Sequence, residues 1–512
     1  MSRCTVAILD FGSQYTKVIA RRIREHHVYS EILPFNTSAE ELAADHIAAI
    51  ILSGGPASVF GKEAPQLDPR IMELDKPILG ICYGLQALLH LTGGKVSSTG
   101  HGEYGPATLE IEEAGKLFKG LPEHIPVWMS HGDRVEDLSA DWEMIGQSQN
   151  RVVAAVQHRS KPFFGTQFHP EVQHTPDGGT ILANFLFTIS GCQPDWTPTH
   201  HLAELTERIS REVGSGRVLC ALSGGVDSSV LGILLTRVLG DQVACVFIDH
   251  GLLRKNEGEQ VEASLGSALG LNIHRADYSD RFLAALTGIE DPEEKRKIIG
   301  QEFIKAFEEV AREVGPTEFL AQGTLYPDVI ESGGVAGIAR TIKSHHNVGG
   351  LPEKMDFRLI EPLRELFKDE VRNLGRELGM PEDILLRHPF PGPGLAVRIV
   401  GEVTRERLHI LREADWIYQE ILKETGEYQR IWQAFAVLLP VKTVGVMGDQ
   451  RTYEYLLALR AVTSSDGMTA DWHRMPTEIL NQCASRIINE VRGINRVVYD
   501  ISSKPPSTIE WE

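Results

Sequence analysis

Ser223-Gly224-Gly225-Val226-Asp227-Ser228-Ser229 joins a short apolar run, Arg217 to Leu222, to a helix-like segment, Ser229 to Leu239. The order is strand, glycine loop, helix. Backbone N–H groups of such a loop and of the first helical turn point outward, and the helix dipole adds positive potential there. The stretch therefore predicts an anion site. Gly224 and Gly225 allow close backbone approach, and Ser223, Ser228 and Ser229 add hydroxyl donors. The commoner phosphate loop, Gly-x-x-x-x-Gly-Lys-Ser/Thr, carries a lysine that this one lacks. An ordinary strand-to-helix turn would explain the loop alone, but strand–helix alternation on both sides favours a nucleotide-binding unit.

The loop resembles the pyrophosphate-binding loop of the ATP pyrophosphatase family. The resemblance implies that Ser223, Gly224, Gly225, Val226, Asp227, Ser228 and Ser229 bind ATP, which is split between its α and β phosphates. Asp227 then suits a Mg²⁺ held with the pyrophosphate, since Mg²⁺ prefers a carboxylate plus phosphate oxygens.

Around this centre the 512 residues divide into three blocks: 1–192, 200–388 and 389–512. In the first, Thr5–Leu9, Ala49–Leu52 and Pro77–Ile81 are strand-like and alternate with helical stretches, which predicts an α/β sheet. Turn formers and helix breakers at 192–199 mark a linker. The second block repeats the alternation, with Arg217–Leu222, Val243–Ile248 and Glu318–Ala321 as strands. After the turn-rich His388-Pro389-Phe390-Pro391-Gly392-Pro393-Gly394, the third block reads as α+β. It holds a helix, Arg405–Thr425, and strand-like runs at Ala434–Leu439, Thr443–Met447 and Val497–Asp500. No internal repeat or low-complexity tract is present. The expected fold is thus α/β: two Rossmann-like parallel-sheet domains plus a C-terminal α+β domain.

Composition narrows the function classes. Hydrophobic residues make up 42% and charged residues 24%, ordinary for a water-soluble globular chain. No apolar run reaches the roughly 18 residues of a membrane span, and Met1-Ser2-Arg3-Cys4 lacks signal-peptide architecture; the expected location is the cytoplasm, with no membrane partner. Six scattered cysteines, with no Cys-x-x-Cys, suggest neither a disulfide framework nor a zinc site. A formal charge of −19 argues against nucleic acid as a partner.

A second chemistry lies in the first block. Gly80-Ile81-Cys82-Tyr83-Gly84 follows the apolar run Pro77–Leu79 and precedes a helix, Leu85–Leu91. A nucleophile on such a turn is exposed at the sheet's carboxyl edge, and the helix N-terminus favours its thiolate. Gly165-Thr166-Gln167-Phe168-His169-Pro170-Glu171 supplies a base and an orienting acid. His169 and Glu171 stand at i and i+2, which on an extended segment share one face.

These words resemble class I glutamine amidotransferases, and the resemblance implies a Cys82-His169-Glu171 triad hydrolysing glutamine through a thioester. Leu52-Ser53-Gly54-Gly55-Pro56 fits that family's oxyanion loop, which assigns Gly54, Gly55 and Tyr83 to the oxyanion. His101-Gly102-Glu103-Tyr104-Gly105 and Ser130-His131-Gly132-Asp133 match the same pattern, though His131 reads best as a satisfied loop histidine.

Ammonia release and ATP pyrophosphatase chemistry meet in the amination of an adenylated carbonyl. The block order, His388 to Leu395 and the ending Ser503-Lys504-Pro505-Pro506-Ser507-Thr508-Ile509-Glu510-Trp511-Glu512 together resemble the bacterial-type GMP synthase family. The resemblance implies that XMP, ATP and glutamine give GMP, AMP, pyrophosphate and glutamate, and that the last block forms a homodimer. It assigns Arg296, Gln433, Lys504 and Glu510 to XMP, the Arg296 guanidinium suiting its phosphate. Phe247 to Gly251 and Gly323 to Asp328 read as nucleotide-pocket segments, and Ile342 to Asn347 as a lid. Lys368 reads equally as a phosphate contact or a surface lysine. Pro505, Pro506 and Trp511 predict an ordered tail. A tRNA-thiolating enzyme would need paired reactive cysteines and a basic face. Asparagine synthetase would need a cysteine where Ser2 stands. NAD synthetase carries a glutaminase of another type. A scaffold protein would tolerate loss of Cys82, His169 or Asp227.

Overall fold

A computed structural model describes residues 4–61, 64–97, 102–267, 269–332, 357–447, 449–464 and 469–512. They form two units, divided at residues 201 and 202.

The first unit is built on nine strands in the order Tyr29–Pro34, Thr5–Asp10, Ile47–Leu52, Ile78–Ile81, Phe163–Thr166, Val153–His158, Trp142–Ser148, Glu103–Ile111 and His124–His131. The first five run parallel. Ile47–Leu52, Ile78–Ile81 and Phe163–Thr166 are buried almost throughout, as strands covered on both faces must be. The remaining four are antiparallel. There one face meets water: along His124–His131 the side chains of Ile125, Val127, Met129 and His131 are buried and those between are exposed or half-buried. Three of the five parallel strands were legible as apolar runs, whereas the half-exposed antiparallel strands, interrupted by polar residues, were not.

The second unit holds five parallel strands, ordered Ile273–Asp277, Val243–Asp249, Val218–Leu222, Phe319–Ala321 and Arg358–Ile360. The winding reverses between Val218–Leu222 and Phe319–Ala321, so a crevice opens at their carboxyl ends. The glycine loop sits there, between Val218–Leu222 and the helix Val226–Leu239. A second sheet pairs Gln433–Met447 with Gln450–Thr463, flanked by Asp471–Trp472 and Ile494–Tyr499. The two runs expected at 434–439 and 443–447 are one strand. Its register slips between Leu439 and Lys442, at Pro440, which has no N–H to offer the ladder.

The helix Arg405–Glu424, capped by Thr404 Oγ1 accepting from Arg407 N at 3.2 Å, packs on that sheet with Thr477–Glu490. Leu219 and Val246 of the parallel sheet share one continuous core with Leu411, Leu438 and Cys483. The blocks 200–388 and 389–512 therefore lie in a single unit.

Trp511, expected to help order the tail, donates through Nε1 to Asp500 Oδ2 at 3.0 Å, and residues that the sequence reading did not single out add to it. Trp511 is 37% exposed, and Ile509 is the apolar side chain that goes under. Arg460, fully buried, donates to the carbonyls of Ile509 at 2.7 Å and Thr508 at 2.8 Å, and pairs with Asp500 at 2.7 Å. Removing one partner of such a pair strands the others without water. Arg460→Ala should lower unfolding stability by about 3–5 kcal/mol, measured by urea denaturation; a loss below about 1 kcal/mol contradicts the anchoring role.

Candidate active sites

Cys82 directly follows Ile78–Ile81 and precedes the helix Tyr83–Leu91, with φ 50° and ψ −103°. A non-glycine residue at positive φ is strained and needs neighbours that hold it. Two glycines make room. A Cβ on Gly84 would lie 2.3 Å from the Leu52 carbonyl oxygen, and one on Gly80 2.6 Å from the Leu85 nitrogen. Cys82 N donates to Thr166 O at 2.7 Å, tying the turn to the neighbouring strand.

The base arrives from a turn. Phe163–Thr166 ends before His169, so the shared face expected of an extended segment is not what joins the pair. Instead the Thr175 hydroxyl donates to His169 O at 2.7 Å, and Gly178 lies so close that a Cβ would sit 1.8 Å from Pro170 O. His169 Nδ1 meets Glu171 Oε1 at 2.7 Å with both side chains buried. A carboxylate can only accept, so Nδ1 carries the proton and Nε2 is left for the thiol. Burial opposes the imidazolium, yet the Glu171 carboxylate and a hydrogen bond with Cys82 outweigh it and push the His169 pKa up to about 10.

Three further groups escaped the sequence reading. Gln167 Nε2 donates to Cys82 Sγ at 3.6 Å, the thiol lies 3.7 Å from Ser130 O, and the Tyr15 ring meets that of His169 edge-on at 5.2 Å. Gln167 and Ser130 lie within the stretches Gly165–Glu171 and Ser130–Asp133 but were given no role there, whereas Tyr15 belongs to no motif. Gly54 sits over the base, where a Cβ would be 3.1 Å from His169 Cε1. Among the described residues, the N–H groups of Gly54, Gly55 and Tyr83 find no acceptor, the state expected of an oxyanion site. His131 ends the strand His124–His131 rather than standing in a loop, and it is only partly satisfied: Nδ1 lies 2.9 Å from Asp133 O, while buried Nε2 has Glu103 Oε2 at 3.4 Å and no hydrogen bond among the described residues. His101 lies outside the described residues.

In the second unit Gly224 has φ 75°, and the loop bonds to itself. Ser228 Oγ accepts from Ser223 N at 3.1 Å, and Ser229 Oγ donates to Gly225 O at 2.8 Å. The hydroxyls thus shape the loop, leaving the helix N-terminus beginning at Val226 to face an anion. Asp227 stands in that first turn. Its Oδ2 lies 3.7 Å from Lys368 Nζ, and its Oδ1 is buried without a partner among the described residues. Lys368 is therefore at the loop. A carboxylate with one oxygen orphaned beside an anion cradle fits a hard divalent cation shared with phosphate oxygens. Gly323 flanks the loop, a Cβ there falling 3.8 Å from Asp227 C. The expected lid at 342–347 lies outside the described residues.

Arg296 lies on the helix Pro292–Val314, and its Nη2 donates to Glu512 O at 2.5 Å. Glu510 accepts from Gln433 Nε2 at 2.7 Å and from Arg398, Nε at 3.1 Å and Nη2 at 2.9 Å. Lys504 is fixed by paired backbone bonds with Ala470. Buried Arg398 and Lys295, the latter bonded to Ile399 O at 2.8 Å and to the Glu512 carboxylate, were also missed.

The cysteine site and its sheet define a glutamine amidotransferase, and residues 7–189 match the family described as glutamine amidotransferase class-I. Residues 420–511 match the GMP synthase C terminal domain. The chain is 56% identical over 512 residues to GMP synthase (glutamine-hydrolyzing) of Aquifex aeolicus, covering 100% of both chains. It is 55% identical over 507 residues to that of Carboxydothermus hydrogenoformans, with 99% of each covered. With that of Chlorobium luteolum it shares 56% over 516 residues, 99% of this chain and 100% of the relative. The chain belongs to the glutamine-hydrolysing GMP synthase family, and is a carbon–nitrogen ligase that takes its nitrogen from glutamine.

A base raised from 6.5 to about 10 stabilises the folded chain fully below pH 6.5, and that contribution is lost as pH rises toward 10. Glu171→Gln removes the carboxylate, so the His169 midpoint should fall and the alkaline loss of stability should shrink. Imidazole NMR titration measures it; an unchanged midpoint means Glu171 does not set the charge of His169.

Proposed function

We propose that the chain makes GMP from XMP, ATP and glutamine in the cytoplasm, as a homodimer, with the two chemistries divided between its two units. The reading is carried by the presence, in one chain, of a Cys-His-Glu glutaminase site and a helix-terminal anion loop. Among the described residues no helix is long and apolar enough to cross a membrane. Val441, Val444, Val446 and Tyr453, exposed along the hairpin of the last sheet, supply an apolar strip that supports pairing with a second copy.

In the first unit Cys82 Sγ attacks the amide carbon of glutamine. The developing oxyanion takes hydrogen bonds from the N–H groups of Gly54, Gly55 and Tyr83. His169 passes its proton to the departing nitrogen, which leaves as ammonia, and a glutamyl thioester remains. His169 then removes a proton from water, the thioester is hydrolysed, and glutamate departs with the thiol restored. Glu171 holds the imidazole throughout.

In the second unit the base carbonyl oxygen of XMP attacks the ATP α-phosphate and pyrophosphate leaves. Ammonia adds at the adenylated carbon, AMP departs, and GMP results. The loop Ser223–Ser229 receives the leaving phosphates on its N–H groups, with Lys368 beside them. Asp227 would hold Mg²⁺, which when bound neutralises phosphate charge. Arg296 and Lys504 suit the XMP phosphate, and Glu510 its base or ribose, with Gln433 beside it.

Two measurements test this division. Cys82→Ala should cut glutamine-dependent synthesis by about a thousandfold or more, while ammonium salts at alkaline pH still support it. Normal use of glutamine by that variant overturns the nucleophile. Asp227→Asn should slow AMP formation by about a hundredfold with either nitrogen source. Near wild-type AMP release removes Asp227 from the mechanism.

A further inference from the structure

A groove in the second unit is lined by more positive charge than its carboxylates neutralise. Arg254 and Lys255 reach it from the loop after Val243–Asp249. Arg387 enters from beyond the short helix Glu382–Leu385, and Lys423 from the last turn of Arg405–Glu424, one face of which also presents Trp416. The available acids are already engaged. Glu413 holds Lys255 at 2.6 Å, Glu257 accepts from Arg254 N at 3.0 Å, and Asp415 Oδ1 accepts from Ala436 N at 3.0 Å. The second oxygen of Asp415 is 3.7 Å from Arg254 Nε, too far for a hydrogen bond.

The guanidinium of Arg254 is consequently left, among the described residues, with Nε and Nη2 buried and without acceptors, its face against the Phe390 ring at 4.5 Å. Among the described residues, neither Arg387 nor Lys423 makes an ion pair. Their repulsion is felt: burial first, then Arg387 and Arg254, lower the Lys423 pKa, and Asp383 opposes them only weakly. His388, packed nearby, adds no charge, since burial pushes it down to about 4. Buried donors without partners are rare and costly, and a bound anion would satisfy them.

We propose that this groove binds a phosphate group, held by Arg254, Arg387 and Lys423. The cavity measures about 70 Å³. One ordered water needs about 10–15 Å³, so the groove has room for a tetrahedral oxyanion. A guanidinium with two free N–H groups suits such an anion, and two further cations complete its neutralisation. None of these residues belongs to the triad, the glycine loop or the proposed XMP set, so the site stands or falls independently of them.

The test reads the groove locally, because phosphate also has other places to bind on this enzyme. Lysines of the full-length protein are ¹³C-methylated, and the Lys423 resonance is identified by its absence in Lys423→Arg. Inorganic phosphate, and in a second arm pyrophosphate, is titrated at constant ionic strength against chloride. The expected result is a raised Lys423 titration midpoint with one or both anions, the tighter one naming the physiological source. Arg387→Ala should need about tenfold more anion for the same response. A Lys423 midpoint that neither anion moves, or a response that Arg387→Ala leaves unchanged, overturns the site.

Discussion

A parallel strand that passes straight into a helix must reverse its backbone within a few residues, and both proposed sites of this enzyme are built on that reversal. The turn delivers whatever follows the strand to the carboxyl edge of the sheet, beside a helix N-terminus whose first N–H groups have no internal acceptor. After Ile81 the residue delivered is a thiol; after Leu222 it is a bare glycine loop. The difference lies in who carries the strain. Cys82 takes positive φ itself, at a cost on the order of 1–3 kcal/mol, and flanking glycines and the bond to Thr166 O hold it there. In the second turn Gly224 adopts positive φ with no side chain to clash, and serine hydroxyls lock the result.

Both sites are assembled before any substrate arrives. The His169–Glu171 pair is buried and oriented by Thr175 and Gly178, so the imidazole needs no search for its tautomer. The glycine loop is closed by its own hydrogen bonds, so an anion would meet fixed dipoles rather than mobile side chains. Preorganised dipoles of this kind avoid reorganisation at the moment of reaction.

The parts legible in the sequence were those in which a local pattern and a chemical need coincide. Gly-Ile-Cys-Tyr-Gly and Ser-Gly-Gly-Val-Asp-Ser-Ser each announce their own backbone, and the runs Arg217–Leu222 and Val243–Ile248 read as strands, which the structure buries almost throughout. What could not be read depends on residues far apart in the chain. Tyr15 reaches His169 from a separate segment, and Arg398 meets Glu510 across 112 positions. The strands from 103 to 158 alternate polar and apolar residues too weakly to stand out. Pro440 looked like a break between strands and is instead a bulge within one, because the long hairpin supplies enough other bonds to carry it through.

The shared core of the second unit bears on how the enzyme comes apart. Leu411 and Cys483 finish the burial of Leu219 and Val246, so neither sheet has a complete interior alone. On heating, the adenylation fold and the sheet that follows it should melt in one cooperative transition. The same wiring limits evolution: the last block cannot be exchanged for a foreign module without rebuilding the nucleotide fold beneath it, whereas the glutaminase, with its own core, is free to be swapped, split or lost.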